Sequence, residues 1–230
     1  MSPSNLEILA YEDTPLGPLC LRRRELLSSP GTVVTEVTLN HEFLMSSYHT
    51  ASEVALAGFA LEMHEGRELT VLVGGLGLGY TAHEALASPR VSNVLVLELL
   101  PQVIDWLEQE LVPLSAVLKA DERFRTELDD VFVRLAAPPA ETFDLILIDV
   151  DHAPDFPLSS ANASFYTEVG VERARRHLAH GGVLAVWSSA ENPTFVRALE
   201  RVFGDVRVEP VTFFNDLVHE EVTDWIFLAR

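Results

Sequence analysis

Four short, nearly unbroken apolar runs constrain this chain more than any other feature: Leu69 to Val73, Val94 to Leu97, Phe143 to Ile148 and Val183 to Val186. A strand with one wet face alternates apolar and polar residues, so runs without alternation predict strands covered on both faces, as in a parallel sheet between two helical layers. Stretches of helical character lie between them, over Tyr80 to Ala87, Gln102 to Leu111 and Phe165 to Leu178. Alternating strand and helix predicts a doubly wound α/β sheet. Thr50 to Glu65 reads as a mostly buried helix ended by Gly66, and Phe124 to Leu128 as a further strand. After the helix Pro193 to Val202, only the polar segment Asn215 to Glu221 separates the runs Val206 to Phe213 and Thr223 to Ala229. So short a connection requires an antiparallel pair.

The first fifty residues read differently. Leu6 to Tyr11 and Leu19 to Leu26 flank the turn-forming Thr14-Pro15-Leu16-Gly17-Pro18, and Val33 to Leu39 alternates with period two. This predicts a small β-rich appendage over residues 1–49, ahead of a main domain over residues 50–230. A length of 230 residues suits one α/β domain with such an appendage, and 48% hydrophobic content is enough to bury a sizeable core.

A net charge of −19 would repel a phosphate backbone, so nucleic acid is not an expected partner, whereas small cations would be gathered. Cys20 is the single cysteine, which excludes an intrachain disulfide and a cysteine-built zinc site. The start, Met1 to Glu7, has no signal-peptide pattern, and no apolar run approaches the ~18 residues that cross a bilayer. A cytoplasmic location with no membrane partner is expected.

The sharpest local motif is Val71-Leu-Val-Gly-Gly-Leu-Gly-Leu-Gly79-Tyr80, a strand running into glycines and then a helix. Glycines there allow a sharp turn and let a ligand lie against bare backbone, so Gly75, Gly77 and Gly79 are candidate contacts for a nucleotide-like ligand. Tyr80 stands where the dinucleotide fingerprint needs its third glycine. Glu98 ends the next strand and is a candidate acceptor for both hydroxyls of a ribose. Asp130, with Asp129 as its rival, follows Phe124 to Leu128 and is a candidate acceptor for an adenine amine; either would equally serve as a helix N-cap.

Asp149-Val-Asp151-His152-Ala-Pro154 leaves the carboxyl end of a central strand, where open α/β sheets place their ligands. Asp149 and Asp151 can hold an ammonium or take its proton; ligation of a divalent metal and a plain Asp-Pro turn are the other readings of the same residues. No metal is expected. Tyr48, His49 and His152 are candidate substrate contacts at the mouth of the site. Most of the eight histidines are expected at the surface, and Arg22-Arg23-Arg24, the one basic cluster, reads as a solvated strand edge.

Taken in order, the glycine loop, Glu98-Leu-Leu-Pro101-x-Val-Ile-Asp105, Asp121-Glu-Arg-Phe, Asp130, Asp149-x-Asp151-His-x-Pro154, Phe165-Tyr166 and Leu178-x-x-Gly-Gly182 resemble the spermidine synthase family of polyamine aminopropyltransferases. Less closely they are similar to class I S-adenosylmethionine methyltransferases. The resemblance implies a seven-stranded Rossmann-like sheet, six strands parallel and the last antiparallel, behind a small N-terminal β-domain. It implies decarboxylated S-adenosylmethionine as aminopropyl donor and co-substrate, with no permanently bound cofactor, and a small-molecule amine such as putrescine as acceptor. It assigns Glu98 to ribose, Asp130 to adenine and Asp149 to the amine. A homodimer is carried as the candidate assembly.

This chain departs from the family pattern at Leu78, where an Asp is usual, in the register of Asp151 and His152, and at Trp187 in place of a familiar Gln. Two rival readings stay open: a methyltransferase using intact S-adenosylmethionine, whose methionine carboxylate Leu78 tolerates better than an Asp would, and a nucleoside- or polyamine-binding protein without catalysis.

Overall fold

The appendage is a four-stranded antiparallel sheet of β1 (Leu6–Thr14), β2 (Gly17–Glu25), β3 (Val33–Leu39) and β4 (Glu42–Ser46), paired in that order, in a computed structural model that describes residues 5–230. The first four residues, part of the expected appendage and of the segment read for a leader, lie outside the described residues. β4 was not expected from the sequence: its Glu-Phe-Leu-Met-Ser has no alternation of apolar and polar residues. The arginine cluster is no edge either, because β2 pairs with β1 on one side and β3 on the other. Arg22 and Arg24 project from the same face of β2 and both grip Glu36 of β3.

The main sheet has seven strands: β5 (Leu69–Gly74), β6 (Val91–Glu98), β7 (Phe124–Leu128), β8 (Phe143–Ile148), β9 (Leu178–Ser188), β10 (Val206–Asn215) and β11 (Glu220–Ala229). Their order across the sheet is β10-β11-β9-β8-β5-β6-β7, so the final strand inserts between β9 and β10. β11 runs antiparallel to both of those neighbours, and the other pairings are parallel. The doubly wound sheet with its last strand antiparallel is therefore as expected.

The unbroken apolar runs have a direct cause in the core. Successive residues of each strand enter opposite clusters: Val71, Val73, Leu145, Leu147, Val183 and Ala185 pack in one layer, and Leu72, Ile146, Ile148, Leu184 and Val186 in the other. The first layer is covered by α1 (Ala51–Met63), α2 (Tyr80–Ala87) and α3 (Pro101–Glu108), the second by α5 (Val131–Ala136), α6 (Glu168–Arg175) and α7 (Pro193–Glu200). The appendage joins the first layer through Leu19, Leu21, Val37 and Leu39, beside the fully buried Trp106, whose indole donates to Glu12.

Two expectations about the second half are corrected. The helix expected over Phe165 to Leu178 is only α6, preceded by a single 3-10 turn at Asn162–Ser164. Phe165 and Tyr166 pack into the core against Phe132 and Phe195, and the Thr167 side chain caps α6 at the Gly170 amide. Leu178 already pairs with Phe143, and the register jumps at Gly181-Gly182, so β9 is longer than the run Val183 to Val186. Two helices of six residues, α4 (Ser115–Ala120) and α5, are under two turns and left no readable period. His177 is also buried, with its Nε2 at 3.0 Å from the Ala137 carbonyl oxygen. Among the described residues no helix is long and apolar enough to cross a membrane.

Candidate active site

The carboxyl ends of β5, β6 and β8 meet at one crevice and deliver Gly75, Glu98 and Asp149 to it. The glycine loop turns there with Gly75, Gly77 and Gly79 all at positive φ, 92°, 52° and 90°. Gly75 could not be replaced: a Cβ would lie 2.6 Å from the Asp149 carbonyl oxygen, in a backbone region that side chains disfavour. At Gly77 a Cβ would meet the Met45 sulfur at 3.0 Å, because β4 of the appendage lies over the loop. Gly79 closes the loop as the residue preceding α2.

Two cavities open from this crevice and share a wall made by Leu44, Met45, Gly75, Gly77, Asp149 and Val150. The first, of about 100 Å³, is mostly apolar, between Leu19, Val37 and Leu39 of the appendage and Leu99, Leu100, Val103 and Phe132. Its polar groups are Glu98, Asp129, Asp130, Asp149 and Asn162. Glu98 is buried, and its two oxygens accept the backbone amides of Leu76 at 2.9 Å and Leu100 at 2.8 Å. Burial raises its pKa against the pull of these amides. The amides of Leu99 and Gly77 add to this pull, so the backbone fixes the direction in which the carboxylate points. Asp130 lines the cavity and caps α5 through one oxygen, which accepts from Phe132 and Val133. Asp129 is tied to Arg134 at 2.6 Å. Of the two readings posed for Asp130, the helix N-cap is the one formed here, by a side chain that also lines the cavity.

The second cavity, of about 430 Å³, has a different chemistry. Asp149 stands on the shared wall and accepts the Thr81 hydroxyl at 3.1 Å; burial raises its pKa to about 6, with the Asp224 charge adding to the rise. Glu53, in the first turn of α1, faces it. Burial first and the Asp149 charge second push Glu53 up to about 8. Asp224 of β11 completes the group: it is 7% exposed, and burial raises its pKa while Ser52 and Trp187 beside it pull it down. Trp187, the residue that stands in place of the expected Gln, lines the same cavity. Leu78 is buried and lines the same cavity.

Asp151 is two residues from Asp149 and has another role. One oxygen accepts the Leu158 amide at 2.7 Å and the Asn162 side chain at 2.8 Å, and the other accepts the Tyr166 hydroxyl at 2.9 Å. These bonds hold the loop from Ala153 to Phe165 against the sheet. Asp151 lines the second cavity together with Asp149, with both of its oxygens engaged in these bonds. His152 lines the second cavity, near the Phe156 ring. His49 also lines it, stacked on Phe213 and edge-on to Tyr48. Tyr48 itself reaches neither cavity wall; its hydroxyl donates to Asp216 at 2.7 Å, joining the segment before α1 to the β10–β11 turn.

Glu53 and Asp224 were missed by sequence reasoning, though each left a trace. Glu53 is a charge on an otherwise almost wholly apolar helix. Asp224 occupies the inward parity of β11, shared with the buried Ile226 and Leu228. An acid at an inward strand position is costly unless it has a partner or a ligand.

This architecture is a doubly wound α/β protein with a mostly apolar cavity and an acidic pocket that meet at Asp149. Residues 49–202 match the family model of the spermine/spermidine synthase domain, and the chain belongs to that family. It is 30% identical over 165 residues to a polyamine aminopropyltransferase of Mycobacterium tuberculosis (strain ATCC 25618 / H37Rv), covering 70% of this chain and 31% of that protein. It is 35% identical over 123 residues to polyamine aminopropyltransferase 2 of Streptomyces coelicolor, covering 53% of this chain and 22% of that one. The chain thus corresponds to about a third or less of the length of these relatives. In fold it resembles a spermidine synthase solved in complex with the transition state analogue AdoDATO, with a TM-score of 0.75 at 17% identity, over 96% of this chain and 73% of the other. A spermidine synthase from Thermotoga maritima gives a TM-score of 0.72 at 17% identity.

Proposed function

We propose that the protein is an aminopropyltransferase that moves the aminopropyl group of decarboxylated S-adenosylmethionine to a small amine. The observation that carries this reading is the pair of cavities joined at Asp149, one apolar with carboxylates aimed by backbone amides, the other rich in carboxylates. In it, residues 50–230 bind the donor, and the appendage described from residue 5 to residue 49 covers the nucleoside. Glu98 accepts the ribose hydroxyls, Asp130 accepts the adenine amine, and Gly75, Gly77 and Gly79 let the donor lie on bare backbone. The sulfonium sits at the shared wall.

The acceptor enters the second cavity between His49 and His152, with Tyr48 steadying the approach through Asp216. Its nitrogen lone pair forms the new bond to the propyl carbon attached to sulfur. The carbon–sulfur bond breaks, and its electron pair stays on sulfur as the neutral thioether methylthioadenosine, so no acid is needed for departure. Asp149 orients the amine and takes the proton that nitrogen loses. Asp151 serves as a positioning residue for the loop, in place of the catalytic part first expected of it.

The test is mass spectrometry of products from purified protein with decarboxylated donor and an amine panel. Methylthioadenosine together with an aminopropylated amine is expected. S-adenosylhomocysteine formed from intact donor would replace this reading with methyl transfer, and the absence of both products would leave a binding protein.

A further inference from the structure

The second cavity has two electrostatic poles. Glu53, Asp149 and Asp224 form the acidic one. The wall continues through Phe43, Leu44, Met45 and Ser46 of β4 to Arg22, Arg24 and Glu36. Glu36 is 3% exposed and takes one guanidinium on each oxygen: Arg22 Nε and Nη2 bond Oε2, and Arg24 Nε and Nη2 bond Oε1. Two guanidiniums on one carboxylate leave one net positive charge, held rigidly. Among the described residues neither Nη1 has a hydrogen-bond partner, and the two side chains keep 33% and 30% of their surface. Arginine is permanently charged and its planar fork suits a carboxylate.

Resting on the aminopropyltransferase reading above, we propose that the acceptor is an amine carrying a carboxylate at its far end, an ω-amino acid in place of a diamine. Its amino end lies at Asp149, and its carboxylate is received by the Nη1 groups of Arg22 and Arg24. A diamine of equal length would bring its second ammonium against guanidiniums, where like charges repel. The acidic pole alone accepts either ligand. The basic pole discriminates.

The experiment is calorimetric titration of the wild-type protein, with methylthioadenosine present, by matched pairs: 4-aminobutyrate against putrescine, and 5-aminopentanoate against cadaverine. The amino acid of each pair is expected to bind at least about tenfold more tightly. Equal affinity, tighter diamine binding, or no binding by either ligand would overturn the proposal, and none of these outcomes depends on a variant folding. Arg24→Gln, which leaves Arg22 paired with Glu36, should cut amino-acid affinity by about tenfold and spare the diamine. An equal loss of both ligands would make Arg24 a structural residue and also overturn the proposal. Product analysis separates the two levels. Methylthioadenosine released with diamines alone refutes the acceptor class while the aminopropyltransferase reading stands. Amino-acid binding with no release from any amine refutes the reaction and keeps the pocket.

Discussion

The two cavities share a wall but treat their carboxylates oppositely. In the first cavity, proposed above for the nucleoside, Glu98 and Asp130 are held by the backbone amides of Leu76, Leu100, Phe132 and Val133. On the amine side, Glu53, Asp149 and Asp224 face one another with hydroxyls and an indole for company, and burial raises all three. Carboxylates fixed by neutral donors suit a neutral, hydroxyl-rich ligand. Carboxylates crowded without cations stay partly protonated until a cation arrives, and so suit an ammonium. Asp149, on the shared wall, is where the two ligands would react.

The largest effect should follow from removing that residue's charge. Asp149→Asn keeps the shape and the contact to Thr81 but cannot take a proton, so the rate of methylthioadenosine release should fall ~100-fold or more with donor affinity little changed. In the wild type the same rate should decline as pH falls through about 6, where Asp149 becomes protonated. An Asn variant that turns over at the wild-type rate would sever the two cavities mechanistically.

On the nucleoside side the corresponding test is Glu98→Ala, which should weaken adenosyl-ligand binding by ~1.5–3 kcal/mol, the scale for hydrogen bonds to a charged group. It also strips the amides of Leu76 and Leu100 of their acceptor, so the melting temperature should fall as well. Unaltered affinity by calorimetry would remove Glu98 from the ligand's reach. Gly77→Val sharpens the same side: it strains a residue at φ 52° and pushes on Met45, and it should abolish nucleoside binding in a chain that still folds.

The contrast between the cavities also explains what could be read from the sequence. Residues lining the first cavity come in local strings, each a strand end followed by a turn: Gly75-x-Gly77 after β5, Glu98 at the end of β6, Asp130 after β7. A strand-to-loop junction leaves a short-range signature, so these positions and the sheet itself were legible. The amine side is assembled from single residues far apart, Glu53 on α1 and Asp224 on β11, brought together only because β11 inserts beside β9. No local pattern encodes such a meeting. Asp151 shows the converse. Two residues from Asp149 it shares the motif, yet the chain turns and its oxygens bond Leu158, Asn162 and Tyr166, residues whose approach the motif does not reveal. Asp151→Ala should therefore lower stability by about 1–3 kcal/mol by stranding buried donors, measured as a denaturant midpoint, and reduce the rate per folded molecule far less than Asp149→Asn.

The smallest effect expected is a change in the pH dependence of stability, and it isolates Glu53. Its pKa is about 8 in the fold against an ordinary 4.5 for a glutamate in water. Between those values the unfolded chain has released the proton and the folded chain retains it. Stability therefore falls as pH rises across this window and levels off above it. Below pH 4.5 both states are protonated and the group contributes fully. Asp149, raised to about 6, adds the same sign over a narrower and more acidic window. Glu53→Gln keeps the shape of the protonated acid and has no proton to lose, so at pH 5 it should melt close to wild type. At pH 8.5 it should be the more stable protein by ~1–2 kcal/mol, a figure discounted for the water that still reaches the cavity. An amine ligand should reverse the ranking, because it binds the ionised acid that only the wild type can supply. Melting curves of both proteins at the two pH values, with and without the amine, give the four comparisons needed. If the variant gains nothing at pH 8.5, Glu53 ionises freely in the empty site, and the crowding that separates the amine cavity from the nucleoside cavity is not there.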